Sequence, residues 1–291
     1  MKVDGGMIEV REVSFSYPAP GGGPARIFEG LNLSIPQARY VALMGPNGSG
    51  KTTLGKLIKG LLSPSSGQVF IQGKPLKRGE ISSRVGYVFS NPENQIIFSV
   101  VEEDVAFGLG NMGMDPSRMS LRVEESLRLV GMEAYRYHSP HLLSGGQQQK
   151  VVMAGILAME CEVLVLDEPS SMLDPQDREE ILDLFREIHE RGSRTLLHIT
   201  HSLEEALRAQ DLVYLDHGRV EFHGSLEEFL TGKERPQIQL PPLLQLIQGL
   251  RARGHSIPPE VHSYGELRDL LLRMSGAPDP GRPGPGFDPE P

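Results

Sequence analysis

The chain has 291 residues, enough for one large core or two modest ones, and its 38% hydrophobic and 23% charged residues are the balance of an ordinary globular protein. Its formal net charge of -9 supplies no basic stripe, so nucleic acid is not an expected partner. One cysteine, Cys161, excludes an intramolecular disulfide and fits a reducing compartment; ahead of an apolar run it reads as a small buried hydrophobe.

The opening MKVDGGMIEV lacks the apolar core of a signal peptide, and no stretch reaches the roughly 20 apolar residues that span a bilayer. Work at a membrane would then require docking to something already there. Alternation predicts strands over 8–17 and 27–35, an antiparallel pair joined by the flexible PAPGGGP at 18–24. The apolar run 40–44 stops at Gly45 as a buried strand does, 51–62 has helical character, and SPSSG at 63–67 ends it. Strand-like runs follow at 68–72 and 85–89.

In the middle third, 102–108, 116–130 and 147–159 read as helices, with Asp115 as N-cap before Pro116. Strand and helix then alternate over 163–166, 176–191, 195–199, 203–208, 212–215 and 220–222. That recurrence predicts an α/β domain with a mainly parallel sheet interrupted by a helical insertion. Beyond it, 238–253 can hold a short helix, 264–274 looks amphipathic, and the Pro/Gly-rich 276–291 reads as a disordered tail.

Between the predicted strand at 40–44 and the helix at 51 lies Gly45-Pro46-Asn47-Gly48-Ser49-Gly50-Lys51-Thr52, which matches G-x-x-x-x-G-K-[ST] in the context the motif requires. The glycines let successive N–H groups turn toward phosphate oxygens, and the helix start adds about half a positive charge. Lys51 can then reach the β- and γ-phosphates and the Thr52 hydroxyl can ligate Mg²⁺. Further along, 163–166 leads into Asp167-Glu168. A parallel strand delivers such acids beside the phosphate loop, with Asp167 on Mg²⁺ and Glu168 as general base toward water. Taken alone, the same acids are equally a helix N-cap.

Leu143-Ser144-Gly145-Gly146-Gln147 directly precedes a helix and forms a second phosphate-binding surface. With it the chain resembles the ABC ATPase family, whose signature is LSGGQ. The resemblance implies a P-loop NTPase (RecA-like) fold with an antiparallel β subdomain and a helical signature-motif insertion. It also implies that Ser144, Gly145, Gly146 and Gln147 bind the γ-phosphate held by the opposite subunit of a head-to-tail dimer. Ser171-Met172-Leu173-Asp174 is similar to the loop that contacts the partner subunit. His201 resembles the switch histidine and Tyr17 the aromatic that stacks on adenine, although either fits a purely structural role when taken singly. Thr53 completes the nucleotide-binding set implied from Gly48 onward.

Where the family normally carries a glutamine after the strand at 85–89, this chain has Ser90, followed by Asn91-Pro92-Glu93-Asn94-Gln95. Serine acts there only through an intervening water, and Gln95 substitutes only if the loop folds unusually. The NPENQ run and Val101-Glu102-Glu103-Asp104-Val105-Ala106-Phe107-Gly108 resemble the energy-coupling factor ATPases, importers of vitamins and of transition-metal ions. That resemblance implies Mg-ATP as cofactor and a second ATPase subunit, identical or related. It further implies a transmembrane scaffold subunit and a substrate-binding membrane protein, at the cytoplasmic face of the membrane. Glu102, Glu103 and Asp104 suit a groove receiving basic residues, or merely a helix dipole.

The expected organisation is an ABC ATPase domain over 7–230, its helical subdomain at about 92–150, a dimerising extension over 232–275 and the tail. The alternatives are a soluble ABC ATPase of translation or DNA repair, which usually carries tandem cassettes or a long coiled coil, and a regulatory ATP-binding module with little catalysis.

Overall fold

In the computed structural model, the described residues are 6–18, 23–231, 240–258, 261 and 264–275. The expected tail and residues 19–22 of the expected loop lie outside them. The chain divides into two compact units, Met1–Phe229 and Leu230–Pro291.

In chain order the first unit begins with β1 (Ile8–Tyr17), β2 (Ala25–Ile35), β3 (Tyr40–Met44), α1 (Lys51–Lys59), β4 (Ser66–Ile71), β5 (Lys74–Pro75) and β6 (Val85–Val88). A helical stretch follows: α2 (Val101–Asn111), α3 (Pro116–Leu129) and α4 (Gly145–Ala158). Then come β7 (Val163–Asp167), α5 (Pro175–Gly192), β8 (Thr195–Ile199), α6 (Leu203–Ala206), β9 (Asp211–Asp216) and β10 (Arg219–Ser225), with α7 (Leu226–Thr231) at the division between the units. The second unit holds α8 (Pro242–Ala252) and α9 (Tyr264–Ser275).

Two sheets result. The smaller is antiparallel, in the order β2-β1-β4-β5, with Ile8 opposite Ile35 and Tyr17 opposite Ala25. The larger has the order β10-β9-β3-β8-β7-β6 and is parallel except for β10. Every residue of β3, β7 and β8 is buried. β3 and the first four residues of β7 are the apolar runs that a sheet covered on both faces requires, whereas β8 also buries Thr195 and His198.

Helix α1 lies between the sheets. Leu54, Leu57 and Ile58 recur at helical spacing, point into the core with Phe28, Leu33, Val165 and Ile199, and are fully buried. Each contributes about 1.5–3 kcal/mol. Gly55 sets the approach, since a Cβ there would come within 2.9 Å of Ile199 and 3.1 Å of Val165. Any larger side chain at 55 would lift α1, and with it the loop at its head. The helix stops at Lys59, short of the predicted 62, because Gly60 turns left-handed and its N–H, with that of Leu61, takes the carbonyl of Lys56.

Helices α2, α3 and α4 pack on one another, and α4 is buried on most of its circumference. Asp115 caps α3 as its sequence predicts, accepting from the Ser117 amide. The predicted helix at 203–208 is a single turn, and β5 and α7 were not predicted: elements this short leave too little periodicity to read. In the second unit Pro242 opens α8 and Arg251 donates to the carbonyls of Ile257 and Pro258. No helix among the described residues is long and apolar enough to cross a membrane.

Candidate active site

The loop from Gly45 to Gly50 leaves the carboxyl end of β3 and feeds α1. Gly45 has φ +150 and a Cβ there would sit 1.9 Å from the Leu215 carbonyl oxygen; Gly50 has φ +106 and would collide with the Phe28 ring. Only glycine satisfies both backbones. Inside the curl Lys51 donates to the carbonyls of Gly45 at 2.9 Å and Pro46 at 3.1 Å. Burial pushes its pKa down, opposed by the negative charges of Glu168 and Asp167. The Ser49 hydroxyl is buried without a hydrogen-bond partner among the described residues. No acid occupies the first turn of α1, so the helix itself places no negative charge at its positive end.

Two strands away, β7 ends at Asp167, and the parallel register brings this carboxylate to Thr52. The Thr52 hydroxyl donates to Asp167 Oδ1 at 3.0 Å, and the Tyr87 hydroxyl on β6 donates to Oδ2 at 2.7 Å. Burial pushes the Asp167 pKa up, against the hydrogen bonds from Tyr87 and Thr52. Tyr87 was not expected at the site. Strand alternation says that it faces inward but not which carboxylate it meets.

Glu168 stands in a left-handed backbone, φ +50, rare for a residue with a side chain. Its amide donates to the Ile199 carbonyl at 3.0 Å, and its own carbonyl accepts from the amide and hydroxyl of Ser171. The side chain is thereby turned to His201, whose Nδ1 lies 3.4 Å from Glu168 Oε1. Tyr17 reaches α1 through a 3.3 Å hydrogen bond between its hydroxyl and that of Thr53, with its ring edge-on to Phe15.

Ser90 and Phe89 share a cleft of about 440 Å³ with Thr52, Asp167 and Glu168, and Lys56, Asn91 and Asn94 complete its wall. Lys56 follows Thr52 by one helical turn, a spacing that would have pointed to it. Gln95 does not substitute for the absent glutamine: its Oε1 accepts from the Phe89 amide and its Nε2 donates to the Tyr87 carbonyl, so it only braces the end of β6. Two of the three acids offered for a basic partner are also committed internally. Glu102 pairs with Arg136, and Asp104 accepts from the amides of Ile97 and Phe98.

Ser144 to Gln147 do not line this cleft. Ser144 caps α4 in a capping box, accepting from the Gln147 amide while the Gln147 side chain accepts from the Ser144 amide. Beside them Gly146 donates its N–H to Asp177 on α5 at 3.2 Å. A Cβ on Gly146 would fall 2.3 Å from that carboxyl carbon, which accounts for glycine there.

A glycine-rich loop at the carboxyl end of one parallel strand, closed on its lysine and beside paired acids at the end of another, defines a P-loop nucleotide hydrolase. Residues 28–171 match the family model described as ABC transporter. The chain is 40% identical over 277 residues to the energy-coupling factor transporter ATP-binding protein EcfA1 of Symbiobacterium thermophilum, covering 91% of this chain and 96% of that one. It is 39% identical over 273 residues to EcfA of Methanoculleus marisnigri, covering 91% and 97%. Among solved structures it resembles cbiO1 of Clostridium perfringens, part of the ABC transporter complex cbiONQ. There the TM-score is 0.72 at 31% identity, covering 84% of this chain and 100% of that one. A dimeric ATP-binding cassette bound to ADP and Pi aligns with a TM-score of 0.68 at 29% identity, covering 76% of this chain and 99% of that one. The chain belongs to the energy-coupling factor ATP-binding proteins of the ABC transporter family, and it is a nucleotide-binding ATPase.

Proposed function

We propose that this ATPase drives import of a vitamin or a transition-metal ion by hydrolysing Mg-ATP at two sites, each completed across a dimer. The observation that carries this reading is the junction at the ends of β3 and β7, where Thr52 touches Asp167 and Glu168 faces His201. Thr52 and Asp167 offer Mg²⁺ two adjacent hard oxygens, the few protein ligands it accepts beside phosphate and water. Bound there, Mg²⁺ supplies charge neutralisation of the β- and γ-phosphates. The buried Ser49 hydroxyl, which lacks a partner among the described residues, suits a phosphate oxygen as acceptor.

In this mechanism the loop amides cradle the phosphates, and Lys51 exchanges its loop carbonyls for β- and γ-phosphate oxygens. Tyr17 offers its ring to the adenine. Glu168 takes a proton from the attacking water, and His201 holds the γ-phosphate side of the same pair. Ser144 to Gln147 of a second chain, homomeric or related, close over the phosphate. Ser90 lies where it reaches the water only indirectly. Hydrolysis removes the contacts that hold the dimer shut, and reopening moves helices docked above.

Docking calls for a transmembrane scaffold subunit and a substrate-binding membrane protein at the cytoplasmic face, with 232–275 holding the ATPase pair together. That cbiO1 is part of the ABC transporter complex cbiONQ supports an assembly of this kind. The test is affinity purification of the tagged chain from detergent-solubilised membranes with mass spectrometry. Recovery of a scaffold and a small membrane protein supports the importer and identifies its cargo binder, whereas soluble partners alone overturn it.

A further inference from the structure

Beneath the candidate site the carboxylate of Glu205 joins the two segments that carry the candidate catalytic residues. The Ser170 hydroxyl donates to Glu205 Oε1 at 2.7 Å and the Thr200 hydroxyl donates to Oε2 at 2.7 Å. Ser170 follows Glu168 by two residues, and Thr200 immediately precedes His201. Glu205 is 6% exposed, and Ser170 and Thr200 are 1% exposed each. His198 Nε2 lies 3.5 Å from Oε2, while its Nδ1 shares a hydrogen bond with the Tyr40 hydroxyl, and Arg178 Nε approaches Oε1 at 3.9 Å.

Burying a carboxylate is unfavourable unless its lone pairs are taken up. Here burial opposes ionisation, but the imidazole of His198 nearby and the hydroxyls of Ser170 and Thr200 outweigh it and hold the carboxyl below its usual range. The group is therefore an anion whose two oxygens each hold one hydroxyl in a short, charge-assisted bond. Those hydroxyls belong to the two segments that carry Glu168 and His201. Its strained backbone leans on the Ile199 carbonyl and on the Ser171 amide, the next residue along from each anchored side chain. Separating Ser170 from Thr200 would therefore move Glu168 against His201.

We infer that Glu205 is a positioning residue for hydrolysis, clamping Ser170 to Thr200 so that Glu168 and His201 address the same water. It acts through the segments it joins and not on the reacting atoms. The inference rests on the roles proposed above for Glu168 and His201.

The experiment uses the full-length chain with Mg-ATP and compares Glu205→Gln, Glu205→Ala, Ser170→Ala and Asp211→Asn in hydrolysis, ATP titration and thermal melting. Asp211 supplies the control, because its pair with Arg39 lies at the end of β9 away from the site. A displacement on the order of 1 Å lowers turnover about a hundredfold. The Glu205 variants are expected to lose about 10- to 100-fold in kcat with ATP affinity within about twofold. Ser170→Ala should add nothing on top of Glu205→Ala, since both break one clamp. Should Glu205→Ala not fold, the isosteric Glu205→Gln and Ser170→Ala carry the comparison. Unchanged kcat in both Glu205 variants overturns the clamp, as does an equal loss in Asp211→Asn. A Glu168→Gln protein run in parallel separates the premises. If it is inactive while the Glu205 variants are not, only the clamp falls; if it turns over normally, the role of Glu168 falls and the clamp with it.

Discussion

The carboxylate of Asp177 on α5 meets the start of α4: its Oδ2 accepts the Gly146 amide at 3.2 Å and lies 3.5 Å from the Ser144 hydroxyl. Under the proposed dimer these are donors meant for the γ-phosphate of a second chain, so one anion already holds the place of another. Closing the dimer requires the carboxylate to yield or to face the phosphate, and like charges at that distance repel. Asp177→Ala leaves the Gly146 amide without its acceptor. ATP-driven dimerisation, followed by size-exclusion chromatography on a Glu168→Gln background, should then need about tenfold less ATP, an effect of roughly 1.4 kcal/mol. An unchanged or weakened dimer would remove Asp177 from this competition.

Glu168→Gln keeps the size of the side chain and its place beside His201 but cannot accept a proton. Hydrolysis is expected to fall by at least about a hundredfold, with ATP still bound and the closed dimer accumulating. Normal turnover, measured as phosphate release, would refute the base assignment.

Ser90→Gln extends a carboxamide into the cleft it shares with Asp167 and Glu168, where Gln95 cannot reach because both ends of its side chain are bonded to backbone. Hydrolysis should rise, on the order of tenfold if the added group orients the water. A rate equal to that of the parent chain would mean that Ser90 is no handicap.

Acid stability follows from Glu205. Its pKa is pushed from the ordinary 4.5 down to about 2, against burial, by His198, Ser170 and Thr200. A carboxylate depressed in the folded state stabilises above its unfolded pKa and loses that contribution as pH falls through the folded value. The stabilisation, on the order of 3 kcal/mol, is thus complete above about pH 4.5 and fades toward pH 2. Urea melts of Glu205→Gln should show a correspondingly flatter decline across that window. Parallel profiles for the two proteins would contradict the depressed pKa.

The phosphate loop, Asp167-Glu168 and the signature were legible because each is a contiguous run whose chemistry needs only its own backbone: glycines that curl, acids at a strand end, a capped helix start. The central strands were legible too, since a sheet covered on both faces favours short, mainly apolar runs such as those of β3 and β7. Which residues meet across the sheet is settled by strand order and not by any local run. Strand order β10-β9-β3-β8-β7-β6 scrambles chain order, so Tyr87 meets Asp167 across 80 positions, Ser170 meets Glu205 across 35, and Asp177 meets Gly146 across 31. Side-chain periodicity reports which face a residue takes and never its partner. The left-handed turn of Glu168, the commitment of Gln95 and the clamp at Glu205 all depend on those partners, and on the burial that makes their hydrogen bonds strong.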